Sequence, residues 1–320
     1  MMGLYTLEFE KPLAELDRQI EELERVGQER QIDVTAELGT LQTKLTSLKE
    51  EIYRNLTPIQ RVLVARHTKR PTTMDYIGSI FTDFVELHGD RLYRDDPAIV
   101  GGWARLNGQT VMVLGHQKGR DTRENIKRNF GMPHPEGYRK ALRMMKLAAR
   151  FHAPVVTLVD TPGAYPGIGA EERGQSEALA TNILEMASLP TPIVTCIIGE
   201  GGSGGALALA VADRVLMFEH STYSVITPEG CAAILWKDAT QRERAAEALK
   251  MTATDLLKYK VIDEIIPEPL GGAHQDPEAT GESLRNALAR HVAELRKVRP
   301  EKLVRRRADK YGAMGAFTEV

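Results

Sequence analysis

The sequence predicts an α/β fold, because apolar runs typical of buried strands lead into loops rich in glycine and proline and then into helical segments. The most informative example is the apolar run 193–198, which precedes the glycine-rich residues 199–205 and the small residues 206–212. A second buried run, 155–159, leads into the Gly/Pro loop 160–169. Each stretch predicts a strand, a tight backbone turn and the start of a helix.

The other elements do not make one regular βαβ array. Apolar residues 99–106 and 110–114 flank Asn107 and Gly108, a pair that strongly favours a type I′ turn, so these two strands are expected to form a hairpin. Residues 119–134 are expected to form a polar, basic loop. Helices are predicted at 74–87, 138–151, 172–189 and 283–297, and short strands at 214–218 and 223–226.

Residues 12–54 predict a helical hairpin with a narrow apolar seam, because leucine and isoleucine recur there at spacings of three and four. The hairpin either packs on its own protein or forms a coiled coil that binds a partner. We therefore divide the chain into an N-terminal helical hairpin with a basic connector, residues 1–71, and an α/β domain, residues 72–320. The connector is expected to be a solvated face or to meet an acidic partner or an anionic ligand. Its basic residues are Arg61, Arg66, Lys69 and Arg70.

Composition and charge exclude several classes of protein. The 320 residues are 42% hydrophobic and 27% charged, and the formal net charge is −2, so the molecule as a whole does not attract nucleic acid. Two cysteines, Cys196 and Cys231, cannot form a four-cysteine zinc site and argue against a secreted disulfide scaffold. Residues 1–11 lack the apolar core of a signal peptide, and no apolar run reaches membrane-spanning length. We expect a soluble, cytoplasmic protein without a membrane segment.

The chemistry of the glycine-rich turn must come from its backbone, because side chains are nearly absent there. Successive N–H groups at the start of a helix can bind an anion or stabilise a developing oxyanion. Gly199, Gly201 and Gly204 also fit a dinucleotide fingerprint, with Glu219 as the ribose-binding acid. We disfavour that interpretation, because the turn does not belong to the first βα unit and the crossover before Glu219 is very short.

The pattern Gly201-x-Ser203-x-Gly205 also fits the nucleophile elbow of serine hydrolases. Such a serine needs a base held by a third group. Of the downstream histidines, His220 follows too soon, and His274 lies in a Gly/Asp/Pro-rich segment that resembles an exposed linker. Both are expected to be ordinary surface residues, and Ser203 is expected to be a small residue that permits a tight turn.

Two backbone turns on adjacent strand ends, 160–169 and 201–206, give the interpretation that we favour. Together they suit the stabilisation of an enolate or a similar oxyanion at an acyl thioester, and they require no side-chain nucleophile. Carboxylates that could act as a base are scarce. Glu171 and Glu172 are candidates, but first-turn acids that complement a helix dipole explain them as well.

Five motifs are more specific together than any single glycine pattern. They are Gly115-His-Gln-Lys-Gly119, Asn129-Phe-Gly-Met-Pro-His-Pro-Glu-Gly-Tyr-Arg139, Asp160-Thr-Pro-Gly-Ala-Tyr-Pro-Gly167, Gly199-Glu-Gly-Gly-Ser-Gly-Gly-Ala206 and Ser221-Thr-Tyr-Ser-Val-Ile-Thr-Pro-Glu-Gly230. In this order they resemble the α subunits of bacterial-type acetyl-CoA carboxylase carboxyltransferase over nearly the whole chain. The resemblance implies a crotonase-like fold, a spiral of ββα units, for the carboxyltransferase domain at 72–320.

The resemblance also implies an activity, the transfer of a carboxyl group from carboxybiotin on a separate carrier protein to acetyl-CoA, giving malonyl-CoA. This is the first committed step of fatty-acid biosynthesis. The catalytic centre would lie between an α and a β subunit, each with one oxyanion hole. Gly204 and Gly205 would supply amides to the ureido oxygen of biotin. Six further residues are expected to bind substrate or biotin, although Tyr165 is equally well explained as a buried aromatic: Gly163, Ala164, Tyr165, Gly202, Ser203 and Ala206.

The implied partners are a zinc-bearing β subunit in an α2β2 assembly, a biotin carboxyl carrier protein and a biotin carboxylase. No metal is expected on this chain, because the four-cysteine zinc domain of the family belongs to the β subunit. A cluster of basic residues near the strand ends either receives CoA phosphates or an acidic partner, or is simply solvated. Its members are Lys118, Arg120, Arg123, Lys127 and Arg128.

Two alternatives remain open, a different enzyme and a protein of another class. A stand-alone crotonase-type acyl-CoA hydratase, isomerase or decarboxylase would need a carboxylate base at the pocket, and the isolated chain would turn over substrate. An RNA-binding or scaffold module would bind with a steep salt dependence and would not depend on Gly204.

Overall fold

The N-terminal part of the computed structural model, which describes residues 7–315, is a hairpin of two helices. They are α1 (Lys11–Arg30) and α2 (Thr35–Arg54), as the leucine spacing predicts. The first helix ends where Gln31 adopts a left-handed backbone with φ of 55°. The expectation that residues 1–11 carry no signal peptide falls partly on residues 1–6, which lie outside the described residues.

The base of the hairpin packs on its own protein. Leu13 of α1 and Tyr53 of α2 form a buried cluster with Leu56 and with Val64 of the next helix, α3 (Pro58–Ala65). Thr57 caps α3 by accepting a hydrogen bond from the Gln60 amide, and Pro58 occupies the first turn, where no amide hydrogen is needed. The division of the chain at residue 71 stays a prediction.

Within residues 7–315, eight strands form one mixed sheet. An antiparallel edge of three strands continues into parallel strands in the order β1-β2-β3-β4-β5-β6-β8, and β7 pairs with the end of β5. The turn between β2 and β3 has positive φ at Asn107 (47°) and Gly108 (79°), which confirms the type I′ prediction. The strands are β1 (Thr82–Glu86), β2 (Ile99–Leu106), β3 (Gln109–His116), β4 (Val155–Thr161), β5 (Ile193–Gly202), β6 (Arg214–Phe218), β7 (Thr222–Ser224) and β8 (Glu264–Ile266).

Helices cover both faces of this sheet, so β4 and β5 are buried along their whole length. This explains why the sequences of both strands begin with mostly apolar residues and do not alternate with polar ones. One core includes Ile77 and Leu288, and the other includes Met144 and Met186. No helix within residues 7–315 is long and apolar enough to cross a membrane. The remaining helices are α4 (Thr73–Ile80), α5 (Thr122–Lys127), α6 (Pro135–Arg150), α7 (Ile168–Glu172), α8 (Gln175–Ser188), α9 (Ser203–Leu207), α10 (Pro228–Trp236), α11 (Arg242–Leu249), α12 (Ala253–Lys258), α13 (Pro277–Leu295) and α14 (Pro300–Gly312).

The predicted helix at 74–87 is wrong in its second half. The helix α4 ends at Ile80, and β1 then pairs with β2, with Val85 opposite Trp103. The strands approach so closely that a Cβ atom on Gly102 would overlap the carbonyl oxygen of Val85. Residues 82–86 thus form a strand although their apolar spacing suits a helix, because pairing with β2 outweighs the local preference for a helix.

Several other boundaries differ from the sequence prediction. The expected basic loop at 119–134 contains α5, capped by the Asp121 carboxylate, and the expected helix at 172–189 is split by Gly174, whose φ is 80°. The helix after the glycine-rich turn is only α9, five residues long. The helix predicted at 283–297 begins earlier, after an Asp276 cap, and α14 was not predicted.

The basic connector is not a solvated face, because its arginines turn inward. Arg70 and Glu268 form a buried ion pair with an Nη2–Oε1 distance of 2.6 Å, and the Arg70 Nε donates to the carbonyl oxygen of Ile198 in β5. Burial alone would raise the pKa of Glu268, but the charge and hydrogen bonds of Arg70 hold that pKa at about 2. This pair joins the connector to the centre of the sheet.

We expect Arg70→Met to destabilise the protein by about 3–5 kcal/mol, because it leaves the Glu268 carboxylate buried without its partner. The measurement is urea unfolding of the full-length chain. Arg285→Met is the matched control: the Arg285 side chain is 39% exposed, and its ion pair among residues 7–315 is with the exposed Glu282, so its loss should change the unfolding free energy by less than about 0.5 kcal/mol. Equal effects of the two substitutions would contradict the assignment.

Candidate active site

The two predicted backbone turns lie side by side at the carboxyl ends of β4 and β5, as expected. These strands are parallel, and Thr161 pairs with Gly201. The turns pack backbone against backbone: a Cβ atom on Gly202 would overlap the carbonyl oxygen of Pro162, and one on Gly205 would lie 2.5 Å from the amide nitrogen of Ala164. Glycine is therefore required at both positions by close approach.

The turn after β5 presents backbone donors. Gly202 is the N-cap of α9, and Ser203 begins that helix with φ of 57°, a left-handed conformation that is uncommon for a residue with a side chain. The first N–H groups of a helix have no partner within it. Among residues 7–315, no loop, turn or side-chain acceptor is found for the amides of Ser203, Gly204 and Gly205.

A cavity of about 420 Å³ adjoins this turn. Ser203, Gly204 and Leu207 line one side, and a Cβ atom on Gly204 would touch only the Leu179 Cδ1, at 3.7 Å. The remaining lining residues come from the segment after α9, from β6, from β7, which pairs with the end of β5, and from the later helices up to the C-terminal α14. They consist of Ala210, Val215, Tyr223, Ser224, Val225, Leu249, Leu256, Val261, Tyr311 and Met314. The cavity therefore combines a mostly apolar wall with a polar backbone end.

The hydroxyl of Tyr311 connects the C-terminal helix to the small-residue segment 206–212. The hydroxyl of Tyr311 donates to the carbonyl oxygen of Ala210 and accepts from the amide of Ala212, each at 2.9 Å. Ala210 also lines the cavity. This contact holds the α14 wall of the cavity in place.

The loop after β4 is held by an ion pair and by two aromatic rings. Asp160 accepts hydrogen bonds from the Lys118 ammonium, at 2.6 Å, and from the Glu200 amide, at 3.0 Å. The half-buried Tyr165 ring stacks on His134 with centroids 4.2 Å apart, and the Tyr165 amide donates to the carbonyl oxygen of Pro133. A contact between Tyr165 and a ligand stays a prediction.

Three of the five residues in the basic cluster near the strand ends form ion pairs with acidic residues of this chain. Lys118 pairs with Asp160, Arg120 with Asp75, and Arg128 with Glu124. Arg123 and Lys127 are exposed. A role in binding CoA phosphates or an acidic partner therefore falls mainly on these two residues, and it stays a prediction.

The expectation that His220 and His274 are surface residues is wrong, because both are buried. His220 lies against Arg61 and the Tyr53 ring, and His274 stacks on His67 at 3.7 Å. A third downstream histidine, His291, pairs with Glu264. None of these three histidines lines the cavity beside Ser203 in the part of the chain that the structure describes.

All eight sequence-predicted site residues belong to the two interlocked turns, and two nearby residues were missed. The fully buried Tyr138 hydroxyl lies 2.8 Å from the position of a Cβ on Gly205. His116 is buried at the end of β3, and burial lowers its pKa to about 3, so the ring stays neutral. Both residues stand in motifs that carry the resemblance, but nothing in the sequence places them behind the turn.

No group of three or more histidine, cysteine, aspartate or glutamate side chains close enough to hold a metal ion is found in residues 7–315. The side chains that line the cavity also include no carboxylate and no histidine. The polar chemistry of the site therefore rests on backbone amides and a few hydroxyl groups.

Comparisons with solved structures identify the class of fold. The chain resembles transcarboxylase 12S with a TM-score of 0.59 at 19% identity, covering 73% of this chain and 44% of that chain. It resembles a chain of a Pseudomonas malonate decarboxylase hetero-tetramer with a TM-score of 0.56 at 17% identity, covering 68% and 88%. The chain thus spans less than half the length of the transcarboxylase chain. These neighbours show the crotonase-like fold of carboxyltransferases, which confirms the predicted fold class.

Comparisons with families and curated proteins are more specific. A family model described as acetyl co-enzyme A carboxylase carboxyltransferase-like matches residues 6–315. The acetyl-coenzyme A carboxylase carboxyl transferase subunit alpha of Gemmatimonas aurantiaca is 64% identical over the whole of both chains. The corresponding subunit of Thermus thermophilus is 57% identical, covering 98% of this chain and 99% of its own. The chain belongs to this family of α subunits, which are biotin-dependent transferases of fatty-acid biosynthesis.

We expect Gly205→Ala to lower the free energy of unfolding by about 1–3 kcal/mol, because the new Cβ must displace the loop at Ala164. Gly204→Ala is the matched control, since its Cβ would make only one ordinary contact, and its unfolding free energy should be unchanged or slightly raised. Urea unfolding of both full-length variants measures the difference. If the two variants were equally stable, the backbone packing described above would be incorrect.

Proposed function

We propose that this chain transfers the carboxyl group from carboxybiotin on a separate carrier protein to acetyl-CoA, giving malonyl-CoA, as the α subunit of a complex with a β subunit. The observation that carries the proposal is the glycine-rich turn, whose amides begin a helix and adjoin a largely apolar cavity. Membership in the carboxyltransferase family supplies the reaction class.

The cavity fits the cofactor by its chemistry. A fused, mostly apolar ring system with one polar ureido end suits a space of about 420 Å³ with apolar walls and backbone donors at one end. Carboxybiotin would supply the activated carboxyl group, and backbone donors at the polar end of the cavity would stabilise negative charge on its ureido oxygen. In our proposal Gly204 and Gly205 donate their amides to this oxygen, with Gly202, Ser203 and Ala206 forming the turn.

The turn after β4 supports the donors from behind. Gly163 and Ala164 press against Gly205, so the two turns cannot move apart without losing close packing. Donors that are already in place cost no reorganisation when charge develops, and the loss of one typically lowers the rate by about 10²–10³. We propose that Gly163, Ala164 and Tyr165 wall the biotin-binding pocket for this reason.

The acetyl-CoA enolate requires a second oxyanion hole, which we assign to the β subunit. Exposed apolar side chains at the rim support a protein partner there: Leu207 and Val225 are 36% and 76% exposed and both line the cavity. Covering this rim would also exclude water from the reaction. The α2β2 stoichiometry, the zinc site on the β subunit, the biotin carboxylase partner and the cytoplasmic location stay proposals.

A stand-alone acyl-CoA hydratase, isomerase or decarboxylase is less well supported. Such an enzyme was expected to need a carboxylate base at the pocket, and no carboxylate lines this cavity. The nearby acids are used in other contacts: Asp160 binds Lys118, and Glu200 binds Arg66.

The test is reconstitution of the full-length chain with a β subunit and a biotinylated carrier protein, with carboxyl exchange from malonyl-CoA as the readout. We expect exchange only in the complete mixture, because each subunit holds one oxyanion hole. The control is each subunit alone with the carrier. Turnover of acyl-CoA by this chain alone, without exchange in the mixture, would favour the stand-alone enzyme.

A further inference from the structure

Tyr223 lies beside the glycine-rich turn and lines the cavity. It belongs to β7, which extends the sheet along the end of β5, so that Tyr223 pairs with Gly201 and Ser224 pairs with Gly202. A Cβ atom on Gly201 would lie 2.9 Å from the Tyr223 Cδ2, so the ring packs directly against the backbone of β5. This contact holds the ring next to the turn that carries Gly204.

The hydroxyl of Tyr223 is not used within the described chain. It forms no hydrogen bond among residues 7–315, whereas the Tyr311 hydroxyl in the same cavity donates to Ala210 and accepts from Ala212. Burial raises the pKa of Tyr223, so the phenol stays neutral and keeps its proton. Tyrosine hydroxyls that are taken out of water usually find a hydrogen-bond partner, because an unpaired one costs free energy. A ligand in the cavity can be that partner.

Polar side chains are few around this cavity. Among the described residues, none of its lining side chains is charged, and the hydroxyls are those of Ser203, Tyr223, Ser224 and Tyr311. The Ser224 Oγ accepts from the Ile226 amide at 3.4 Å. In a mostly apolar pocket, a small number of placed polar groups fixes the orientation of the ligand.

We propose that Tyr223 contacts biotin, and that its hydroxyl hydrogen-bonds to the ureido group that Gly204 and Gly205 also bind; this inference rests on the proposed function. The ureido group is the polar end of the cofactor, and Tyr223 lies at the same end of the cavity as the glycine-rich turn. A ureido group has an oxygen that accepts and an N–H that donates, and a phenol can pair with either.

Two tyrosines provide controls that separate a ligand contact from a structural role. The Tyr311 hydroxyl bonds within the chain, so Tyr311→Phe should lower the free energy of unfolding. Tyr76 is fully buried in the other core, its hydroxyl has no partner among residues 7–315, and it does not line this cavity. Tyr76→Phe and Tyr223→Phe each remove an unpaired hydroxyl and keep the ring, so both should leave stability unchanged or slightly raised in urea unfolding.

Carrier binding to the reconstituted αβ complex gives a readout that does not depend on activity. The probes are the carrier protein with biotin and the same carrier without it. We expect Tyr223→Phe to raise the Kd of the biotinylated carrier by about 3- to 10-fold, the usual worth of one neutral hydrogen bond. The Kd of the carrier without biotin should not change, and Tyr76→Phe should match the wild type with both probes.

Carboxyl exchange from malonyl-CoA gives the second readout. In Tyr223→Phe the KM for the biotinylated carrier should rise by the same factor, with kcat within about twofold, because the contact is present before and during transfer. The KM for malonyl-CoA should also stay within about twofold, since the β subunit binds it in our proposal.

The outcomes distinguish this inference from the function on which it rests. Absence of exchange in the wild-type complex would refute the proposed function, and carrier binding would still decide the role of Tyr223. An active wild type with Tyr223→Phe equal to Tyr76→Phe in carrier Kd and KM would overturn the inference alone. A loss of stability like that of Tyr311→Phe, or a rise only in the KM for malonyl-CoA, would also overturn it.

Discussion

The close packing of two backbone turns, at the ends of β4 and β5, is the constraint on which the site depends. Gly202 meets Pro162 and Gly205 meets Ala164 without any side chain between them. This approach turns two loops, which would ordinarily be mobile, into one rigid unit. A rigid unit can hold amide dipoles in place before charge develops, which is what electrostatic stabilisation of an oxyanion requires.

Buried and half-buried charges connect this unit to the N-terminal segment. Arg70 binds Glu268 and β5, and Arg66 binds Glu200 and Glu229. Ion pairs of this kind are costly to break once they are out of water, because either partner alone is left unsolvated. The α3 segment is therefore a structural part of the sheet near the end of β5, although it precedes that strand by more than a hundred residues.

The sequence predicts best those features that depend on neighbouring residues. The Asn107-Gly108 turn and the adjacent turns after β4 and β5 follow from local patterns and from the rules of parallel sheets. The inward direction of Arg66 and Arg70 does not, because their carboxylate partners lie 134 and 198 residues away along the chain. The same applies to His220 and His274, whose polar surroundings in sequence suggest solvent. The helix predicted at 74–87 is wrong in its second half, because residues 82–86 pair with β2 as an edge strand.

The Tyr311 contact has a consequence for the timing of assembly during synthesis. A wall of the cavity comes from α14, near the end of the described chain, whereas the donor turn lies about a hundred residues earlier. The last strand of the sheet ends at Ile266, so a newly synthesised sheet still lacks one side of the cavity. The cavity is therefore complete only after the last helix has been synthesised and has docked.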